Sequence, residues 1–100
     1  RVLDHTPGAA DVLPEIVDAG KGEILILADG GVRAGGDMLK LLALGADVVM
    51  IGRPFSVAAI GGLKEGVTQY VQRIKSELKA AMVLTGTAGL KTVDRSILIA

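Results

Sequence analysis

The chain has 100 residues, half of them apolar, with 11 acidic and 11 basic side chains, no cysteine, and Phe55 and Tyr70 as its aromatic residues. That length suffices for one domain with a real core but falls short of the roughly 200 residues that a closed eight-stranded α/β barrel needs. The charge balance argues against nucleic acid or an anionic membrane as partner, the missing cysteines exclude disulfides and thiolate metal sites, and no apolar run reaches the roughly 18 residues of a membrane span; with no leader visible, a cytoplasmic setting is expected.

Residues 1–8 form a polar entry in which Asp4, Thr6 and Pro7 favour a turn and a helix start. His5 stands alone in this turn without a placed carboxylate partner, which reads as a solvated surface residue rather than a catalytic one. Residues 9–19 then read as a short helix with Val12, Leu13, Ile16 and Val17 on its apolar face. Asp11 as N-cap would put Pro14 at the third helical position, where a missing N–H is tolerated. Gly20, Lys21 and Gly22 end this helix.

The centre of the chain is a strand, a glycine-rich turn and a helix. Residues 24–28 are a short apolar run of strand formers, followed by Asp29, Gly30, Gly31, Val32 and Arg33 and then by Ala34, Gly35, Gly36 and Asp37. Residues 38–44 read as a helix apolar nearly all round, with Asp37 as cap or first-turn acid and Gly45 as its stop. Glycines permit a tight turn and close approach to the backbone, the new helix offers N–H groups and a positive dipole end, and Arg33 adds a planar, permanently charged fork. Residues 47–51 repeat the pattern as a second buried strand, followed by Gly52, Arg53 and Pro54. Right-handed crossovers place two successive βα turns at the same end of a parallel sheet, so Arg33 and Arg53 should face one region, the layout of a phosphate site. The bland alternative for either arginine is a loop bridge to Asp29 or Asp4, and for Asp29 a turn-closing role through backbone N–H groups.

Residues 55–60 form a short helix broken by Gly61 and Gly62. A long helix over 64–84 follows, with Val67, Tyr70, Val71, Ile74, Leu78, Ala81 and Met82 on one stripe. Lys64, Gln72, Arg73, Lys75, Ser76 and Lys79 mark its solvent side. Thr85 and Gly86 close this helix, Thr87 caps a last helix over 88–93, and Asp94 and Arg95 begin a tail. Two strands apolar on both faces cannot stand as an isolated pair, so the sheet must continue through further sequence or through another copy of the chain.

Several of these stretches together resemble the FMN-dependent 2-hydroxy acid oxidases and dehydrogenases, the family of glycolate oxidase, lactate oxidase and flavin-type lactate dehydrogenase. They are Arg1-Val2-Leu3-Asp4, Leu13-Pro14-Glu15-Ile16, Asp29-Gly30-Gly31-Val32-Arg33, Leu42-Ala43-Leu44-Gly45-Ala46, Ile51-Gly52-Arg53-Pro54-Phe55, Gly66-Val67 and Leu84-Thr85-Gly86. The resemblance covers essentially the whole chain and implies the C-terminal portion of a (β/α)8 TIM barrel, an α/β fold of which these residues supply about two βα units with flanking helices. It implies that Asp29, Gly30, Gly31, Val32, Arg33, Gly52 and Arg53 bind the FMN ribityl-phosphate, and that Arg1 grips a substrate carboxylate. The family's proton-accepting histidine stands three residues before that arginine, so it is absent from the chain and His5 does not replace it. The expectation is therefore part of an enzyme oxidising a small (S)-2-hydroxy acid to the 2-oxo acid, inactive by itself, with no metal, partnered by the rest of its barrel or by copies of itself. The alternatives are a self-associating half-barrel that binds phosphate or FMN without chemistry, and part of another FMN barrel such as an isomerase.

Overall fold

A computed structural model describes residues 6–20, 22–90 and 93–98. The described elements follow as α1 (Ala9–Gly20), β1 (Leu27–Ala28), α2 (Gly35–Ala43), β2 (Val48–Val49), α3 (Arg53–Leu84) and a 3-10 turn, Arg95–Ile97. Arg1, Asp4 and His5 lie outside the described residues.

The first helix starts earlier than the Asp11 cap predicts. Gly8 occupies the cap position: its carbonyl accepts the Asp11 N–H at 3.1 Å, and its own N–H donates to Asp11 Oδ2 at 3.2 Å. Asp11 thus reaches back from the first turn, as the acid of a capping box does. Pro14 consequently lies inside α1 beyond its first turn, where it deprives the Ala10 carbonyl of a helical donor.

The two strands are parallel, with Leu27 opposite Val48 and Ala28 opposite Val49. They are shorter than the expected 24–28 and 47–51. Among the described residues the two strands pair with each other alone. Backbone bonds from Asp47 and Val48 to the Ile26 carbonyl, and from Met50 to the Ala28 carbonyl, continue the contact at either end. Asp47 adds a side-chain tie, its Oδ2 accepting the Ile26 N–H at 2.9 Å.

The helix-facing side of this pair carries the core. Ile26 and Ala28 are buried with Leu13, Val32, Leu41 and Ala46, and Val17, Met38, Leu44, Val49 and Ile51 close around them. The opposite side, formed by Leu25, Leu27, Val48 and Met50, is exposed. The α2 helix buries Leu39, Leu41 and Ala43 on different sides of its axis, as its all-round apolar sequence requires. It ends in a Schellman arrangement: Ala46 N–H donates to the Leu41 carbonyl and Gly45 N–H to that of Leu42. Gly45 takes φ 113°, and Val17 methyl carbons lie 2.7 and 2.8 Å from where a Cβ would stand, so glycine is needed there twice over.

The α3 helix contains the break that Gly61 and Gly62 predict, one residue later, at Leu63 (φ 53°, ψ −142°). Its second half puts Ile74 in the core and shelters Val67, Tyr70, Leu78, Ala81 and Met82, while Lys64, Gln72, Arg73, Lys75, Ser76 and Lys79 are exposed. A second Schellman end follows, Thr87 N–H bonding the Met82 carbonyl and Gly86 N–H that of Val83. The helix expected over 88–93 does not form at Ala88 and Gly89, and residues 91–92 lie outside the described ones. The expected tail instead holds the 3-10 turn, capped by Asp94, whose Oδ1 accepts the Ser96 N–H at 2.9 Å. Hydrogen bonding from the Ser96 side chain, then from its N–H, holds the Asp94 carboxyl below its ordinary value. No helix among the described residues is long and apolar enough to cross a membrane.

Candidate phosphate site at the strand ends

The site is built from the two segments that leave the carboxyl ends of β1 and β2. After β1, Gly30 (φ 120°) and Gly31 (φ 68°) adopt backbone conformations that only glycine takes readily, and they reverse the chain within two residues. Asp29 closes this reversal: its Oδ1 accepts the Gly30 N–H at 2.7 Å. The turn-closing reading of Asp29 is therefore what the geometry displays, and the Gly30 N–H is already engaged.

Val32 follows with its side chain buried at 4 % exposure in the core, anchoring the turn. Its contribution to the cleft is limited to atoms that remain at the surface. Arg33, by contrast, is exposed. Its backbone is held on either side of Cα: the N–H donates to Asp37 Oδ2 at 3.2 Å, and the carbonyl accepts the Tyr70 hydroxyl at 2.7 Å. Asp37 is thus the first-turn acid that the sequence indicates, reaching back to the residue before the α2 cap.

After β2, Gly52 occupies the N-cap of α3 with no side-chain cap bond, and Pro54 lies in the first turn, where its missing N–H costs nothing. The Gly52 carbonyl accepts the Phe55 and Ser56 N–H groups at 3.0 and 3.3 Å. No atom lies within 4 Å of where a Cβ on Gly31 or Gly52 would stand, so both backbones border open space.

One cleft of about 730 Å³ unites these parts. Asp29, Gly30, Gly31, Val32 and Arg33 line one side, and Gly52, Arg53, Pro54 and Val57 the other. The structure thereby brings together every sequence-predicted cofactor residue, while Arg1 lies outside the described residues. Among the described residues the one ion pair is Arg73–Glu77, at 3.8 Å, so neither Arg33 nor Arg53 bridges to Asp29. Two guanidinium groups unpaired among the described residues and the positive end of α3 share this space, with the Asp29 carboxylate turned onto its own loop.

Val57 and Tyr70 are parts of the site's surroundings that sequence reasoning did not single out for it. Val57 lies one helical turn beyond Arg53, a spacing that could have flagged it. Tyr70 was placed on the core stripe, and its ring does pack there, edge-on to Phe55 with centroids 4.8 Å apart. Partial burial, then the charge of Glu77, push the Tyr70 hydroxyl above its ordinary 10.0, against an opposing effect of Arg73. It therefore stays protonated, and remains a donor to Arg33, throughout the neutral range.

Parallel βα units with glycine–arginine turns gathered at the carboxyl ends of their strands place the chain among the α/β proteins, the (β/α)8 barrels included. The model of the FMN-dependent dehydrogenase family matches residues 1–100, and the chain belongs to that family. It is 42 % identical over 97 residues to human (Homo sapiens) 2-hydroxyacid oxidase 1, covering 97 % of the chain and 26 % of that protein. Similarity to the L-lactate dehydrogenase of Xanthomonas campestris pv. campestris (strain B100) is 45 % over 94 residues, covering 94 % of the chain and 24 % of the relative. A crystal structure of mandelate oxidase with 3,3-difluoro-2-hydroxy-3-phenylpropionic acid superposes with a TM-score of 0.90 at 39 % identity, over 95 % of this chain and 29 % of that one. Another mandelate oxidase structure, a variant carrying the monooxide FMN adduct, gives 0.87 at 40 % identity, over 91 % of this chain and 29 % of that one. The chain thus spans about a quarter of the length of these relatives and is a partial (β/α)8 barrel, and FMN is the cofactor of its family.

Proposed function

We propose that these residues are the FMN-phosphate end of an oxidoreductase that converts a small (S)-2-hydroxy acid, of the lactate, glycolate or mandelate kind, to its 2-oxo acid. The observation that carries this reading is the cleft in which Arg33 and Arg53, both exposed and both unpaired among the described residues, face the same space at the strand ends. Its residues fit the group. The ribityl-phosphate is a dianion that needs planar, charged donors and backbone N–H groups in an open, water-accessible cradle, and the cleft offers both. Bound there, the flavin supplies the acceptor for the two electrons that leave the hydroxy acid.

In this reading Arg33 and Arg53 neutralise the phosphate, the positive end of α3 faces it, and Gly31 and Gly52 leave room for its approach. Val32 holds the turn on the core, and Asp29 keeps the Gly30–Gly31 reversal closed. Arg1 grips the substrate carboxylate. The exposed face of Leu25, Leu27, Val48 and Met50 is barrel interior, covered by the remaining strands, since barrels fill their centre with such side chains. Similarity to 2-hydroxyacid oxidase 1, L-lactate dehydrogenase and mandelate oxidase favours hydroxy acid oxidation over isomerase chemistry on another FMN barrel.

The test is anaerobic mixing of the complete, flavin-loaded polypeptide with (S)-lactate, glycolate and (S)-mandelate. Bleaching of the flavin's visible absorption by at least one of them, and not by (R)-lactate or (R)-mandelate, is the expected result. A flavin that stays oxidised with all three would refute the reading.

A further inference from the structure

We infer that Tyr70 is a positioning residue that couples the two arginine-bearing turns and thereby sets the phosphate selectivity of the site. This inference rests on the phosphate reading above and adds to it a residue far from either turn in sequence.

Three contacts carry it. The Tyr70 hydroxyl donates to the Arg33 carbonyl at 2.7 Å, across 37 residues of chain. The Arg33 N–H is held at 3.2 Å by Asp37. The same tyrosine ring meets Phe55 in a T-shaped contact, centroids 4.8 Å apart and planes at 77°. Phe55 is two residues beyond Arg53, in the first turn of α3. Tyr70 therefore touches the backbone from which one guanidinium springs and the helical turn from which the other springs.

The consequence is geometric. An arginine side chain reaches a dianion through several rotatable bonds, and its aim is only as good as the backbone that carries it. With the N–H before its Cα and the carbonyl after it both engaged, the Arg33 backbone is held on either side, so the side chain starts from a fixed point and direction. A phenylalanine in place of Tyr70 would keep the ring, the Phe55 contact and the burial, but would free the Arg33 carbonyl. The loss should then fall on recognition of the phosphate rather than on the fold or on the rest of the flavin.

The experiment titrates the complete apoprotein with FMN and with riboflavin, which lacks the phosphate, for the wild type, Tyr70→Phe and Arg33→Ala, with melting temperatures recorded alongside. Loss of one positioning hydrogen bond predicts FMN affinity about three- to tenfold lower in Tyr70→Phe, with riboflavin affinity unchanged and melting within a few degrees of wild type. Equal weakening of both ligands would overturn the inference by reducing Tyr70 to a structural residue. So would FMN affinity that is unchanged in Tyr70→Phe but lost in Arg33→Ala, an outcome that leaves the phosphate reading standing. A wild type that binds FMN no better than riboflavin would remove the phosphate reading and the role of Tyr70 with it.

Discussion

Arg33→Ala and Arg53→Ala are each expected to weaken FMN binding by about 2 kcal/mol, roughly thirtyfold, without changing the affinity for riboflavin. A charge-assisted hydrogen bond to phosphate is worth more than a neutral one because the acceptor carries full charge and the donor fork matches its geometry. Both guanidinium groups line one cleft and neither is committed elsewhere among the described residues, so removal of either subtracts directly from the anion's neutralisation. The double variant should lose less than the sum of the two, since each arginine works on a phosphate that the other already orients. Raised salt should shrink the difference between FMN and riboflavin in the wild type, because both cations are exposed and screened. Equal loss of both flavins in the single variants would mean that the arginines support the fold of the turns and not the phosphate.

The second large effect is expected far from any ligand. A Cβ on Gly35 would overlap the backbone nitrogen of Leu78 and would stand 2.6 Å from the Glu77 carbonyl carbon and 2.7 Å from the Leu78 Cα. Those are main-chain atoms of a helix, which cannot swing aside as a side-chain tip can. Gly35→Ala should force α2 and α3 apart at a cost of about 3 kcal/mol, which in a complete polypeptide of its relatives' length lowers the melting temperature by roughly 5 °C. Because the α2–α3 contact also carries Tyr70 to the Arg33 carbonyl, phosphate selectivity should fall with it. Gly36→Ala is the control: nothing lies within 4 Å of its Cβ position, and alanine favours the helix, so that variant should be neutral or up to about 1 kcal/mol more stable. Calorimetry on the two variants decides the point, and similar melting temperatures would refute the close-approach explanation.

What the sequence revealed of this fold followed from local rules. The strand–glycine–arginine repeat located both turns, the right-handed crossover put them at one end of a parallel pair, and the apolar stripe from Val67 to Met82 oriented the long helix. Asp37 was readable because a first-turn acid has few other roles. What stayed hidden depended on partners distant in sequence. Nothing local distinguishes Gly35, which a helix backbone crosses, from Gly36, which borders open space. Val32 lies within a glycine-rich turn, yet it packs into the core, because its preceding glycines swing it back onto Ile26 and Leu41. The ring of Tyr70 obeyed the helical period, but its hydroxyl answers to a carbonyl that only the α2–α3 packing brings near. The strands came out short because pairing length depends on how many neighbours a strand has, which no single strand's residues state. The helix start at Ala9 was legible, but the Asp11 cap that would place Pro14 in the first turn was not formed, because Gly8 takes the cap and Asp11 reaches back to it.

The central claim, that the two strand-end turns grip one phosphate, is tested most directly by a crystal structure of the complete polypeptide with FMN bound. The account predicts phosphate oxygens within hydrogen-bond range, about 3 Å, of both the Arg33 and the Arg53 guanidinium groups, with the Tyr70 hydroxyl still on the Arg33 carbonyl. A phosphate seated elsewhere, with both arginines paired to carboxylates or turned to solvent, would contradict it.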